Sequence, residues 1–169
     1  MRFISEQITF QEIPEEICLS FMIPGCPLRC PGCHSAEWWS NKKTNSQSYK
    51  TVPLLNAEHL LYSINTNKDF ITCVLFLGGE WHEATLIQLL KLVKVQGLKT
   101  ALYTGLENVS AQISQHLDYL KTGPWIESLG GLRSPRTNQR LTHVPTQKQI
   151  FLNQNQQGGF YDEAYKHTN

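Results

Sequence analysis

No run of apolar residues in this chain approaches the length of a membrane span. The N-terminal segment MRFISEQITFQEIPEE scatters charges where a secretory leader would need an unbroken hydrophobic stretch. Net charge is nearly absent as well. Fifteen Lys and Arg stand against fourteen Asp and Glu, for a balance of +1, so neither a nucleic-acid surface nor a basic membrane-binding face is indicated. Cysteine is scarce, odd in number at five, and three of the five crowd together near the N-terminus, which does not make an ordinary disulfide framework. Those absences point to a reducing, cytoplasmic compartment and to a metal role for the thiols. None of the six histidines sits in a catalytic constellation.

The crowded thiols are Cys26, Cys30 and Cys33, in the run GCPLRCPGCH. This C-x3-C-x2-C spacing offers three ligands where most protein metal sites use four, so the missing ligand is the informative part. Thiolates are soft and select zinc, Cu(I) or iron-sulfur clusters over magnesium and calcium. Structural zinc is normally closed by four protein ligands, and the nearest candidates for a fourth are Cys18 and His34. His34 directly follows Cys33 and would need a strained turn to join the same tetrahedron. A [4Fe-4S] cluster usually takes four cysteines. Three thiolates would leave one iron open to an exogenous ligand, and an open iron is reactive.

Around the cysteines, strand and helix patterns alternate. Residues 17–23 alternate and end in Pro24-Gly25, which predicts a strand delivering the cysteine loop at its C-terminal end. Residues 57–65 read as a helix, and 71–77 as a strand covered on both faces that stops at Gly78-Gly79. Residues 82–95 carry Leu86, Leu89, Leu90 and Val93 on one helical stripe. A strand at 99–103, a helix at 110–116 and a strand at 117–121 complete the pattern. Such alternation implies an α/β fold with a mostly parallel sheet and helical crossovers. A closed eight-fold barrel takes about 250 residues, so 169 accommodate about five β-α units. The expectation is one domain over residues 1–169, a partial and laterally open (β/α) barrel. Two segments, 41–53 and 145–169, are polar and are expected to be a loop and a C-terminal tail.

The cysteine loop resembles the signature of the radical S-adenosylmethionine (SAM) enzymes. Five segments, in order GCPLRCPGCHSAEWW (25–39), LFLGGEW (75–81), LYTGLE (102–107), LKTGPW (120–125) and SPRTNQR (134–140), narrow the resemblance to the anaerobic ribonucleoside-triphosphate reductase activating proteins, over about residues 8–143. That resemblance implies a [4Fe-4S] cluster on Cys26, Cys30 and Cys33, with SAM chelating the open iron through its amino and carboxylate groups. It implies reductive cleavage of SAM and transfer of the resulting radical to a glycine in the large catalytic subunit of the reductase. A low-potential electron donor such as a flavodoxin would be a second partner. Two other classes fit the same cysteine loop: a small radical SAM enzyme acting on a small molecule, and a non-enzymatic zinc or electron-transfer domain.

Most of the remaining candidates lie at or just after the end of a predicted strand, where the active sites of α/β sheets gather. Gly78, Gly79 and Glu80 by themselves read as a βα turn; the resemblance assigns them to the SAM amino group. Many relatives carry Pro after the acidic residue, whereas Trp81 stands here. Tyr103 and Thr104 either close a strand or place a hydroxyl near the SAM ribose or carboxylate. Trp38 and Trp39 either shield the cluster from water or fill the core. Cys18 and Cys73, inside apolar strands, are expected to be buried small hydrophobes. Arg133, Arg136, Asn138, Gln139 and Arg140 form either a solvated loop or a contact with SAM or the partner.

Overall fold

The computed structural model describes residues 1–39, 52–152 and 159–160. Eight strands among them form one sheet: β1 (Ser5–Thr9), β2 (Cys18–Met22), β3 (Cys73–Leu77), β4 (Lys99–Tyr103), β5 (Tyr119–Thr122), β6 (Arg140–His143), β7 (Lys148–Phe151) and β8 (Gly159–Phe160). Strand order follows chain order, and β2 to β5 are parallel, while β1 is antiparallel on one side and β6, β7 and β8 are antiparallel on the other. The sheet is open, with β1 and β8 as its two edges.

Three helices cross between the parallel strands: α1 (Ala57–Asn67), α2 (Glu83–Val95) and α3 (Ala111–Ser114). Local chemistry sets their starts. The Asn56 side chain accepts the His59 N–H, and Ser110 does the same for Ile113, each meeting a backbone donor that the first turn leaves unpaired. All three helices pack on one face. Leu19, Phe21, Val74, Phe76 and Leu102 of the strands form a single core with Leu60, Ile64, Leu86, Leu89, Leu90, Val93 and Ile113. The alternate strand positions, Cys18, Cys73, Leu75, Ala101 and Tyr119, form a second cluster on the other face with Ile13, Leu141 and Ile150.

This division follows from period-two geometry: successive strand side chains point to opposite faces, so a strand apolar throughout feeds both cores. It also decides where a ligand can sit. With every crossover on one face there is no topological switch point, and the free space lies over the helix-free face at the C-terminal strand ends. The antiparallel additions extend that face. Residues 144–151, part of the polar run expected to trail from the core, instead form a short 3-10 turn and β7, whose Ile150 is buried. Nearly all of the polar segment expected at 41–53 lies outside the described residues.

Candidate functional site

Four loops leave the C-terminal ends of β2 to β5 and enclose a cavity of about 650 Å³, well within the range of about 300–1,000 Å³ usual for small-molecule sites. The loop after β2 contributes all three clustered cysteines to its wall. Backbone bonds shape this loop: Gly25 N–H donates to the Trp38 carbonyl (2.8 Å), Cys33 N–H to the Cys30 carbonyl (3.1 Å) and Ala36 N–H to the Cys33 carbonyl (3.2 Å). The Ser35 N–H points at the Cys33 sulfur (3.4 Å). Trp38 and Trp39 also line the cavity. Behind the loop, the His34 ring lies 4.6 Å from that of Trp125. Leu28 packs over Gly105 so closely that a Cβ there would lie 2.6 Å from its Cδ1, so a side chain at position 105 would turn the Leu28 side chain out of its place.

The loop after β3 is built on two glycines that only glycine accommodates comfortably, Gly78 at φ 84° and Gly79 at φ 106°. They swing the chain into a short 3-10 turn, Glu80–His82, and bring Glu80 into the cavity wall. A Cβ on Gly78 would lie 2.6 Å from the Trp81 ring, so Trp81 folds back over the glycines. Glu80 Oε1 accepts the Thr104 hydroxyl at 2.5 Å. Its Oε2 is buried with no partner. Burial raises the Glu80 pKa against the opposing pull of the Thr104 hydroxyl. Burial likewise raises Cys26, with the Glu80 charge adding to it, so loading a metal there must displace a proton.

Tyr103 presents its ring to the cavity, but its hydroxyl donates to the Glu12 carbonyl. Thr104 faces Glu80. Lys121, at the end of β5, was not singled out from the sequence, although it shares the core-facing row of its strand with Tyr119. It lines the cavity and donates to the Gly123 carbonyl (3.0 Å) and the Thr104 carbonyl (3.4 Å). Burial lowers its pKa to about 8, against the pull of Cys30, Cys33 and Glu80. No ion pair joins Lys121 to Glu80 among the described residues. Of the 133–140 segment, Arg133 and Gln139 line the cavity, Gln139 being buried, while Arg136 and Arg140 are exposed.

Cys18 and Cys73 are fully buried and pair across β2 and β3, four residues before Met22 and Leu77 at the cavity. At about 3.3 Å per residue that is roughly 13 Å away, too far to complete a ligand set with the loop cysteines. Among the described residues no three His, Cys, Asp or Glu side chains converge on a single-ion site. The cavity therefore combines three soft donors on one wall, an unpartnered carboxylate oxygen and a half-buried ammonium group. Such a donor set suits a polynuclear iron-sulfur group with one open position and a zwitterionic ligand beside it.

The family described as 4Fe-4S single cluster domain matches residues 16–141. No curated protein matches the chain. No helix among the described residues is long and apolar enough to cross a membrane.

Proposed function

Since the chain belongs to the 4Fe-4S single cluster domain family, we propose that it is a cytoplasmic radical SAM activase for the large catalytic subunit of an anaerobic ribonucleoside-triphosphate reductase. One observation carries the proposal: three clustered thiols share a cavity with a buried, unpartnered Glu80 oxygen and with Lys121. Cys26, Cys30 and Cys33 would hold the cluster. When bound, the cluster and SAM would supply one-electron reductive cleavage of SAM and, through it, hydrogen-atom abstraction from a glycine of the reductase.

The protein's own residues orient and exclude. Glu80 Oε2 would accept from the SAM ammonium, and the backbone at Gly78 and Gly79, having no side chain, leaves room for close approach. Lys121 would face the SAM carboxylate, which would give a half-buried cation a partner of opposite charge. Trp38 and Trp39 shield the wall of the cavity from water, which bears on cluster potential. Arg133 at the cavity lining and the exposed Arg136 and Arg140 form the approach for the glycine-bearing segment of the reductase. A low-potential donor such as a flavodoxin would supply the electron.

The test is anaerobic incubation of the reconstituted protein with SAM, a reductant and an anaerobic reductase subunit, followed by electron paramagnetic resonance. A glycyl radical doublet on the reductase is expected. SAM cleavage without any radical on the subunit would redirect the assignment to a small-molecule substrate, and a colourless protein without iron would overturn it.

A further inference from the structure

We propose that Thr104 is a positioning residue that holds the acidic and basic ends of the cavity apart, a reading that rests on the SAM site proposed above. Thr104 is 4% exposed. Its hydroxyl oxygen accepts the Leu106 N–H at 3.0 Å, and its single proton goes to Glu80 Oε1. A carboxylate is planar, so holding one oxygen fixes the direction of the other. The other is Oε2, buried and unpartnered.

The backbone of the same residue serves the opposite charge. The Thr104 carbonyl accepts from Lys121 Nζ at 3.4 Å, and the Gly123 carbonyl takes a second Nζ proton at 3.0 Å. One residue therefore stands between a carboxylate with a buried oxygen and a half-buried ammonium. Left to themselves in a low-dielectric cavity, these groups would attract strongly. Joined, they would satisfy each other; separated, each keeps a face for a ligand carrying both charges. The α-amino and α-carboxylate groups of an amino-acid moiety match that pair. Position 104 thus acts on the ligand through Glu80 and Lys121 and needs no contact of its own.

The experiment measures SAM binding by anaerobic calorimetry on cluster-loaded protein, with visible absorption reporting that the cluster is retained. Thr104→Val keeps the shape and the carbonyl but removes the hydroxyl, and is expected to weaken SAM binding by about tenfold, the usual scale for one buried hydrogen bond. Thr104→Ser keeps the hydroxyl and is expected to bind within about twofold of the parent. In a Glu80→Gln background, which is itself weakened, Thr104→Val should cost clearly less than it does alone, because the carboxylate it orients is gone. Parental affinity in Thr104→Val, equal losses in the Val and Ser variants, or full additivity with Glu80→Gln would each overturn the positioning role. Parental SAM affinity in Glu80→Gln would instead overturn the underlying site. Should the Val variant fail to hold the cluster, the Ser variant and the pair Glu80→Gln and Glu80→Gln/Thr104→Ser decide the matter, with loss of binding on Thr104→Ser alone again refuting the proposal.

Discussion

Replacing Lys121 by Met asks whether the cavity keeps a charge that the fold itself does not want. The ammonium group is buried among loops, has no carboxylate partner, and donates to two backbone carbonyls. Burial lowers its pKa from 10.5 to about 8, and at about 1.4 kcal/mol per pH unit this is about 3 kcal/mol held against the charged form. Methionine has nearly the same length and no charge, but leaves the Thr104 and Gly123 carbonyls without their donor, at about 1 kcal/mol each. The difference favours the variant by about 1 kcal/mol near neutral pH, which for a chain of this size is a rise of about 2–4 °C in Tm. The sign of the pH dependence follows from the direction of the shift. Because the folded pKa lies below the unfolded one, the penalty is full below about pH 8 and fades as pH rises toward 10.5. The parent therefore gains about 2 kcal/mol between about pH 8 and about pH 9.5, the variant does not, and the gap closes and then reverses. Circular dichroism melts of the reduced, metal-free protein at about pH 7 and about pH 9.5 measure it. The same variant is expected to bind SAM more weakly. A Lys121→Met protein that melts several degrees lower, with a gap that does not narrow in alkali, would show that the lysine is a structural member and refute this reasoning.

Replacing Cys26, Cys30 or Cys33 by Ala should abolish the brown cluster absorption, because no other thiol lies near the loop. Cys73→Ser, at a fully buried position, should keep the cluster and lower stability by about 1–3 kcal/mol, read as a fall in Tm. Gly123→Ala places a Cβ 2.9 Å from the Asn138 carbonyl oxygen at φ 99°; the left-handed conformation alone costs about 1–2 kcal/mol, so Tm should drop and the 123–139 loop should become more sensitive to protease. Joint replacement of Arg133, Arg136 and Arg140 by Ala should leave SAM cleavage intact and remove glycyl radical formation on the reductase. Radical installation at the parental rate would confine those arginines to a surface role.

The parts of the fold that could be read in advance are those whose burial shows in local pattern. The strands β2 and β3 are apolar at nearly every position because both faces are covered, and Cys18 and Cys73 are buried as their surroundings implied. The sequences SEQIT, RLTH and KQIF of β1, β6 and β7 are short and half polar, and what makes them strands is a neighbour already in place. Long-range pairing of this kind leaves little local trace. The candidate site shows the same limit. Glu80 and Thr104 were each referred to a ligand, whereas the hydrogen bond between them spans 24 positions and is visible only in three dimensions. Tyr103 sends its hydroxyl to Glu12, 91 positions away in the chain. Lys121 did leave a signal: a lysine in YLKT, two places after the inward Tyr119, puts a charge on a core-facing row.

The two ends of that face carry the same residue types in opposite states, and the contrast separates structure from function. At the N-terminal end of the strands, Glu16 is 5% exposed and accepts both the Lys99 ammonium and, at 2.8 Å, the Tyr119 hydroxyl. Every charge there has its counterpart, and the hydrogen bond from Lys99 to Glu16 is the main reason its pKa is raised. At the C-terminal end, two residues along from Tyr119, Lys121 has only carbonyls and its pKa falls to about 8. Glu80, within the same cavity, keeps one oxygen unpartnered. A fold that closes a carboxylate onto a lysine at one end has the chemistry to do so at the other. Burial of unpaired charge is costly, so the proposed SAM ligand, which carries both an ammonium and a carboxylate, would account for the separation at the cavity end, where the pairing made at the other end is missing.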